Sequence, residues 1–205
     1  MVGKLAKWLN QSLNSSISKI IGFLLIIGGL LLIGFIYGPI FKEEFRYRTT
    51  WTPPQEKEII PVSEDFGLII PKIGVNAKVF PNVDSNNPNE YLPILTQGAA
   101  HAKGSVLPGE EGNIFIFAHS SDTPLNITQY NAVFYLIGKL KTGDEIVVHY
   151  NYMRYLYEVI DKKIIPPEVM SDYFRGFGGK TLTLQTCFPP GTSVNRLLVI
   201  AKEAD

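Results

Sequence analysis

The chain has 205 residues, with 19 basic and 19 acidic side chains, so no net field draws it to nucleic acid. One cysteine, three histidines and no Cys/His cluster rule out a disulfide framework and a structural zinc site. Eighteen glycines and 14 prolines, set among late apolar runs rich in Ile, Val and Tyr, suit a β-rich domain with many turns.

At the N-terminus Leu5, Trp8, Leu9, Leu13 and Ile17 recur at near-helical spacing with lysines between them. That stretch reads either as an amphipathic segment on a membrane face or, given Asn10, Gln11, Asn14 and Ser15-Ser16, as a polar tail. Ile20 to Ile40 carries no charge; at about 1.5 Å per residue such a helix spans a hydrocarbon core of about 30 Å. The run is too long for a signal-peptide core and no Ala-x-Ala-like site follows it, so an uncleaved signal anchor is expected. Lys4, Lys7 and Lys19 precede the span and Lys42, Arg46 and Arg48 follow it, a tie that does not orient it. The single thiol and the N-terminal placement favour residues 1–19 inside and the remainder outside. Residues 41–61, with Trp51-Thr52-Pro53-Pro54 and Gln55-Glu56-Lys57-Glu58, read as a spacer, and 62–205 as the folded domain.

Within that domain the expected strands are short. Leu68–Ile70 and Ala77–Phe80 flank a turn at Gly74, and Pro81 to Asn89 reads as a loop. Ile114–Ala118 is an apolar run after a Pro-Gly turn, hence a buried strand. Tyr130, Phe134, Ile137 and Leu140 are spaced for one face of a helix over Ile127–Leu140, ended by Thr142-Gly143-Asp144. Glu145–Tyr150 and Tyr155–Ile160 form a hairpin, Asp161 to Gly179 is a long connection, and strands around Cys187 and after Arg196 close the chain. About eight strands and one helix point to a closed, all-β barrel.

Cys187 is unpaired, which leaves a buried small hydrophobe, an intermolecular link or a reactive thiol. Thr181-Leu182-Thr183-Leu184 reads as a strand, Phe188-Pro189-Pro190-Gly191-Thr192 as a tight loop, and Arg196-Leu197-Leu198-Val199-Ile200 as the next strand. A thiol at the end of one strand and a guanidinium at the start of the next can face one cleft. Cysteine chemistry also needs a proton donor for the leaving group. His119 follows a buried strand and opens the polar loop Ser120-Ser121-Asp122, the best placed of the three histidines. His149 lies inside a strand, where a satisfied or solvent-facing ring is the ordinary reading. His101, in Gly98-Ala99-Ala100-His101-Ala102-Lys103-Gly104, could line a cleft without doing chemistry.

From about Leu68 to Lys202 the chain resembles the sortases, membrane-anchored bacterial cysteine transpeptidases. Three segments carry the resemblance. Thr183-Leu184-Gln185-Thr186-Cys187 is similar to the family's Thr-Leu-x-Thr-Cys strand end, and Arg196-Leu197-Leu198-Val199 to the strand bearing its arginine. Gly112-Asn113-Ile114-Phe115-Ile116-Phe117-Ala118-His119 is similar to the strand ending in its histidine, with Ala118 where the family usually has Gly. Leu107-Pro108-Gly109-Glu110 and Lys139-Leu140-Lys141-Thr142-Gly143-Asp144 are weaker matches in the expected order.

The resemblance implies a roughly eight-stranded sortase-type β-barrel as catalytic domain. Cys187 would attack a carbonyl in a Leu-Pro-x-Thr-Gly-like sorting signal of a surface protein. His119 would protonate the departing amine, and Arg196 would stabilise the oxyanion or hold the substrate. The thioester would pass to an envelope amine such as a peptidoglycan cross-bridge. Thr186, His101 and Ser120, with Val169 and Phe174 in the long connection, are the expected substrate-binding residues. No metal and no cofactor is required; some sortases bind calcium through acidic loops, but Glu110, Glu111 and Asp122 read ordinarily as solvated charges. Pilin-polymerising sortases add a C-terminal membrane helix and a lid with an acidic-Pro-aromatic plug. Here the sequence stops at Asp205 after its last expected strand, and Trp51-Thr52-Pro53-Pro54 does not fit the plug, which favours a protein-anchoring type. A hydrolytic cysteine peptidase and a non-catalytic peptide-binding β-domain are the alternatives. Leu92-Pro93-Ile94-Leu95-Thr96 has one residue too many for a sorting signal of its own.

Overall fold

The computed structural model describes residues 19–33, 45, 59–120, 133–174 and 178–204. The chain divides into two compact units, Met1–Glu44 and Phe45–Asp205. In the first, residues 19–33 form helix α1, with the side chains of Phe23, Leu24, Leu25 and Leu31 exposed. Among the described residues no helix is long and apolar enough to cross a membrane. Residues 34–40 of the expected span lie outside them, as do the stretch from Leu5 to Ile17 and residues 41–44 and 46–58 of the spacer.

In the second unit the described residues form eight strands: β1 (Phe66–Ile70), β2 (Val75–Val83), β3 (Ala99–Ala102), β4 (Gly112–Phe117), β5 (Glu145–Tyr150), β6 (Met153–Ile165), β7 (Lys180–Phe188) and β8 (Asn195–Glu203). They close into a barrel in the order β1-β2-β3-β4-β7-β8-β6-β5. The neighbours are antiparallel except β2–β3 and β4–β7, which run parallel. The eight-stranded all-β barrel expected from the sequence is what forms.

Side chains alternate across each strand, so the wall has two faces. Leu68, Val79, Ile114, Ile116, Val148, Leu182, Leu184 and Val199 pack in the interior cluster, each at most 1% exposed. A second cluster lies on the outer face: Val83, Ala100, Ala102, Phe115, Phe117, Ile165 and Leu198. Two irregularities serve it. The β2–β3 register shifts between Phe80 and Val83, with Asn82 in the left-handed region at φ 59°, and this turns Val83 outward. A second shift between Val159 and Asp161 moves Ile165 of β6 to the outer side, where it pairs with Arg196.

Two helices cover the outer cluster. The loop expected from Pro81 to Asn89 is shorter, since β2 runs on to Val83 and helix α2 (Pro88–Leu95) begins within it and takes in Leu92-Pro93-Ile94-Leu95. Asn87 caps it by accepting the amide of Asn89, and Pro88 fits its first turn, where no amide donor is needed. Helix α3 (Met170–Phe174) follows a 3-10 turn at Pro167–Val169 inside the long connection, which is shorter than expected because β6 runs to Ile165. Tyr91, Ile94, Met170, Tyr173 and Phe174 pack against the cluster. The single helix expected over Ile127–Leu140 is corrected in its described part: residues 133–136 are turns and Ile137–Lys139 is a 3-10 turn. Phe134, Ile137 and Leu140 are fully buried as the spacing required, but a step of three is the 3-10 repeat. Lys162 caps the end of that turn by donating to the carbonyls of Gly138 and Leu140.

Candidate active site

β7 and β8 pair so that Cys187 lies opposite Arg196. Leu182 and Leu184 point inward, so Cys187 points outward, on the same side as Leu198 and its strand neighbour Arg196. The Cys187 thiol is free and half-buried. Arg196 Nη1 donates to the carbonyls of Ser193, in the turn that joins the strands, at 3.0 Å and of Asn195, the first residue of β8, at 3.2 Å. These bonds anchor one arm of the guanidinium, and neither uses the Nη2 or Nε donors.

His119 arrives from β4. The parallel β4–β7 register runs from Gly112 opposite Lys180 to Phe117 opposite Gln185. It continues past the strand end, because the Ala118 amide donates to the Gln185 carbonyl at 3.1 Å. Carried on, that register sets His119 level with Cys187. The parity of β4, with Ile114, Ile116 and Ala118 inside and Phe115 and Phe117 outside, gives His119 the same outer face. The His119 carbonyl accepts from the Phe134 amide at 3.1 Å, and the residue is half-buried. Thiol, imidazole and guanidinium thus come to one end and one side of the barrel wall from three adjacent strands.

Thr186 and Ser120, expected to touch substrate, are instead 1% exposed. Thr186 Oγ1 donates to the Ala118 carbonyl at 2.8 Å, stitching the thiol-bearing strand to the histidine-bearing one. Ser120 Oγ is buried with no hydrogen-bond partner among the described residues.

His101 is also corrected. It pairs with Ile116 on the inner face of β3, is 3% exposed and lies against Phe66 at 5.6 Å between ring centres. Its Nδ1 accepts the Asn82 amide at 3.2 Å, which places the proton on Nε2. Nε2 then donates to the Val106 carbonyl at 3.0 Å, with Ser105 Oγ at 2.8 Å. Burial pulls this imidazole below its usual value, against the opposing pull of the Val106 carbonyl and the Glu110 charge. A neutral ring with both nitrogens engaged is a structural histidine. His149 sits on β5 between Gly67 and Arg154, three strands from β7 round the barrel.

Phe174 packs against the outer cluster, and Val169 closes the 3-10 turn before α3. Val169 is exposed, and the Phe174 ring packs 5.2 Å from that of Phe115. Of the acidic residues considered for calcium, Glu110 Oε2 accepts the Leu107 amide at 3.0 Å and closes its own turn. Glu111 is exposed, and Asp122 lies outside the described residues.

Residues 68–204 match the family model of the sortase domain. Sortase D of Bacillus subtilis (strain 168) is 26% identical over 138 residues, covering 66% of this chain; the match spans 61% of that relative's length. Among solved structures, sortase C-1 from Actinomyces oris is similar at 28% identity and a TM-score of 0.55, covering 82% of this chain and 85% of that one. A Clostridium perfringens Sortase D5 transpeptidase is similar at 26% identity and a TM-score of 0.53, covering 79% of this chain and 89% of that one. Relatives named for classes C and D resemble the chain about equally, so the likeness is to the family rather than to one class.

Proposed function

The chain belongs to the sortase family, and from that premise we propose that it is a cysteine transpeptidase acting on a sorting signal of the Leu-Pro-x-Thr-Gly kind. The observation that carries this reading is the meeting of Cys187, Arg196 and, by continuation of the β4–β7 register, His119 at one end of one face. In the first step Cys187 Sγ bonds to the scissile carbonyl carbon. The carbon–nitrogen bond breaks, and His119 delivers the proton that lets the amine leave. The Arg196 donors left unused by the turn face the negative oxygen of the tetrahedral intermediate. In the second step an amine attacks the thioester carbonyl, His119 takes its proton, and the thiolate departs. A thioester suits this exchange because amines attack it readily.

The donor on this reading is a surface protein and the acceptor an envelope amine such as a peptidoglycan cross-bridge. Attachment rather than pilin polymerisation is the outcome we favour, on the absence of an acidic-Pro-aromatic pattern at Trp51-Thr52-Pro53-Pro54. The apolar segment 20–40 would hold the enzyme in the cell membrane as a single pass, with the barrel outside.

The test is to incubate the full chain with a sorting peptide, with and without an oligoglycine acceptor, and to follow products by mass spectrometry. A Cys187 acyl adduct that yields the ligated peptide when the acceptor is present is the expected result. Hydrolysis at equal rate under both conditions would assign a peptidase. An absence of adduct, with the thiol refractory to alkylation, would assign a peptide-binding domain.

A further inference from the structure

Beneath α3 a buried polar cluster sits on the otherwise apolar outer face. Asn113 of β4 is 3% exposed, Thr181 2% and Thr183 0%. Both threonine hydroxyls donate to Asn113 Oδ1 at 3.0 Å. Asn113 Nδ2 donates to the Phe174 carbonyl at 3.0 Å, across 61 residues of sequence. The amide orientation is fixed, because a flipped side chain would set its oxygen against the Phe174 oxygen.

The cluster holds something that needs holding. No residue of α3 is fully buried; Met170, Tyr173 and Phe174 only rest against the outer cluster. Apolar contact is tolerant of sliding, whereas a hydrogen bond to one carbonyl is directional. A further anchor of the connection is also on β4, where the Gly112 amide donates to the Gly179 carbonyl at 3.2 Å. Asn113 lies on the face of β4 that His119 continues just past the strand's end, so one segment carries the tie to the connection at its start and the imidazole beyond its end.

We propose that Asn113, oriented by Thr181 and Thr183, is a positioning residue that sets donor-peptide recognition by fixing α3 relative to the catalytic strand. This rests on the transpeptidase reading above and on α3 packing on the outer face that also carries Cys187 and Arg196. Asn113 touches no reacting atom; it acts through Phe174.

The test uses the full chain and four variants. Asn113→Asp keeps the shape but loses the donor, and Thr183→Val removes one orienting hydroxyl. Thr183→Ser retains that hydroxyl and serves as the rescue, and Phe174→Ala removes the ring but leaves the carbonyl. Hydrogen exchange of residues 166–174 and the separate kcat and KM for a sorting peptide are measured for each. Asn113→Asp should raise exchange and KM about tenfold, the size expected for one lost hydrogen bond, with kcat within about twofold. Thr183→Val should follow in the same direction and Thr183→Ser should match the parent, so the comparison survives if Asn113→Asp does not fold. Phe174→Ala should raise KM while leaving the Asn113 bond formed. Unchanged exchange in both Asn113→Asp and Thr183→Val would overturn the latch. Raised exchange with unchanged KM would overturn its role in recognition. Should the parent process no peptide, the transpeptidase reading fails, and the exchange data still judge the latch.

Discussion

Leu184 and Cys187 stand three residues apart on β7 and face opposite sides of the same wall. Leu184 is fully buried with residues from across the barrel; Cys187 is half-buried on the outside, against Arg196. The inner face is specified by volume and apolarity, and the outer by which chemical group meets which across the register. A period of two lets one strand serve both without compromise, since neither set of residues crowds the other.

That contrast predicts opposite phenotypes. Cys187→Ala should abolish acyl-enzyme formation, because no other nucleophile is in register with Arg196, while thermal unfolding stays near that of the parent. Leu184→Ala should cost about 2–5 kcal/mol of stability, read from denaturant unfolding. If Cys187→Ala instead destabilises the fold on the scale of Leu184→Ala, the thiol is packing and the site assignment falls.

The two histidines sharpen the comparison. His119→Ala should lower turnover by about 10²–10⁴-fold, the usual worth of a positioned proton donor, with the fold intact. His101→Ala should cost stability of about 1–3 kcal/mol, by leaving the Asn82 amide and Val106 carbonyl unpaired. Peptide cleavage assayed beside thermal unfolding separates them, and a dead but stable His101→Ala would reverse the assignment.

Arg196→Lys keeps the charge but not the planar fork. The Ser193 and Asn195 carbonyls hold one arm of that fork, and a single ammonium cannot both hold the turn and reach the oxyanion. A loss of about 10–100-fold in kcat/KM is expected; equal activity would mean that charge alone suffices.

The smallest effect concerns pH. The folded state lowers the His101 value below 6.5, so the unfolded chain binds a proton more readily. This histidine therefore supports the fold above that value, and its support drains away as the pH falls through the depressed one. Melting temperatures between pH 7 and 5 should fall more steeply for the parent than for His101→Gln. Parallel curves would show that another group governs acid lability.

Most of the barrel was legible in the sequence because its apolar strands announce themselves. Ile114–Phe117, Glu145–Tyr150 and the segments around Cys187 and Arg196 combine β-branched residues with bounding turns. β3 was not legible: Ala99-Ala100-His101-Ala102 has no strand propensity of its own and is extended because β2 and β4 grip it from both sides. α2 was hidden by its prolines and asparagines, which read as loop until Asn87 is seen as its cap. At the site, strand–loop–strand reasoning placed Cys187 and Arg196 together. The inward fates of His101 and Thr186 depend on parity against strands far away in sequence, which no local pattern contains. Asn113 was read only as part of a motif, since its partner Phe174 comes from the connection.

The parallel β4–β7 pairing also bears on when this protein becomes reactive. Ala118 and Thr186, joined by a hydrogen bond, are 68 residues apart in sequence, and β8 slots between β7 and β6. Contacts of such long range form late, after closure of the intervening chain has been overcome. On a chain emerging N-terminus first, the histidine strand and then the thiol appear before the strand that carries the guanidinium. The barrel seam stays open until that last strand inserts. Because Cys187 and Arg196 sit on β7 and β8, the proposed site can be complete only once β8 has inserted.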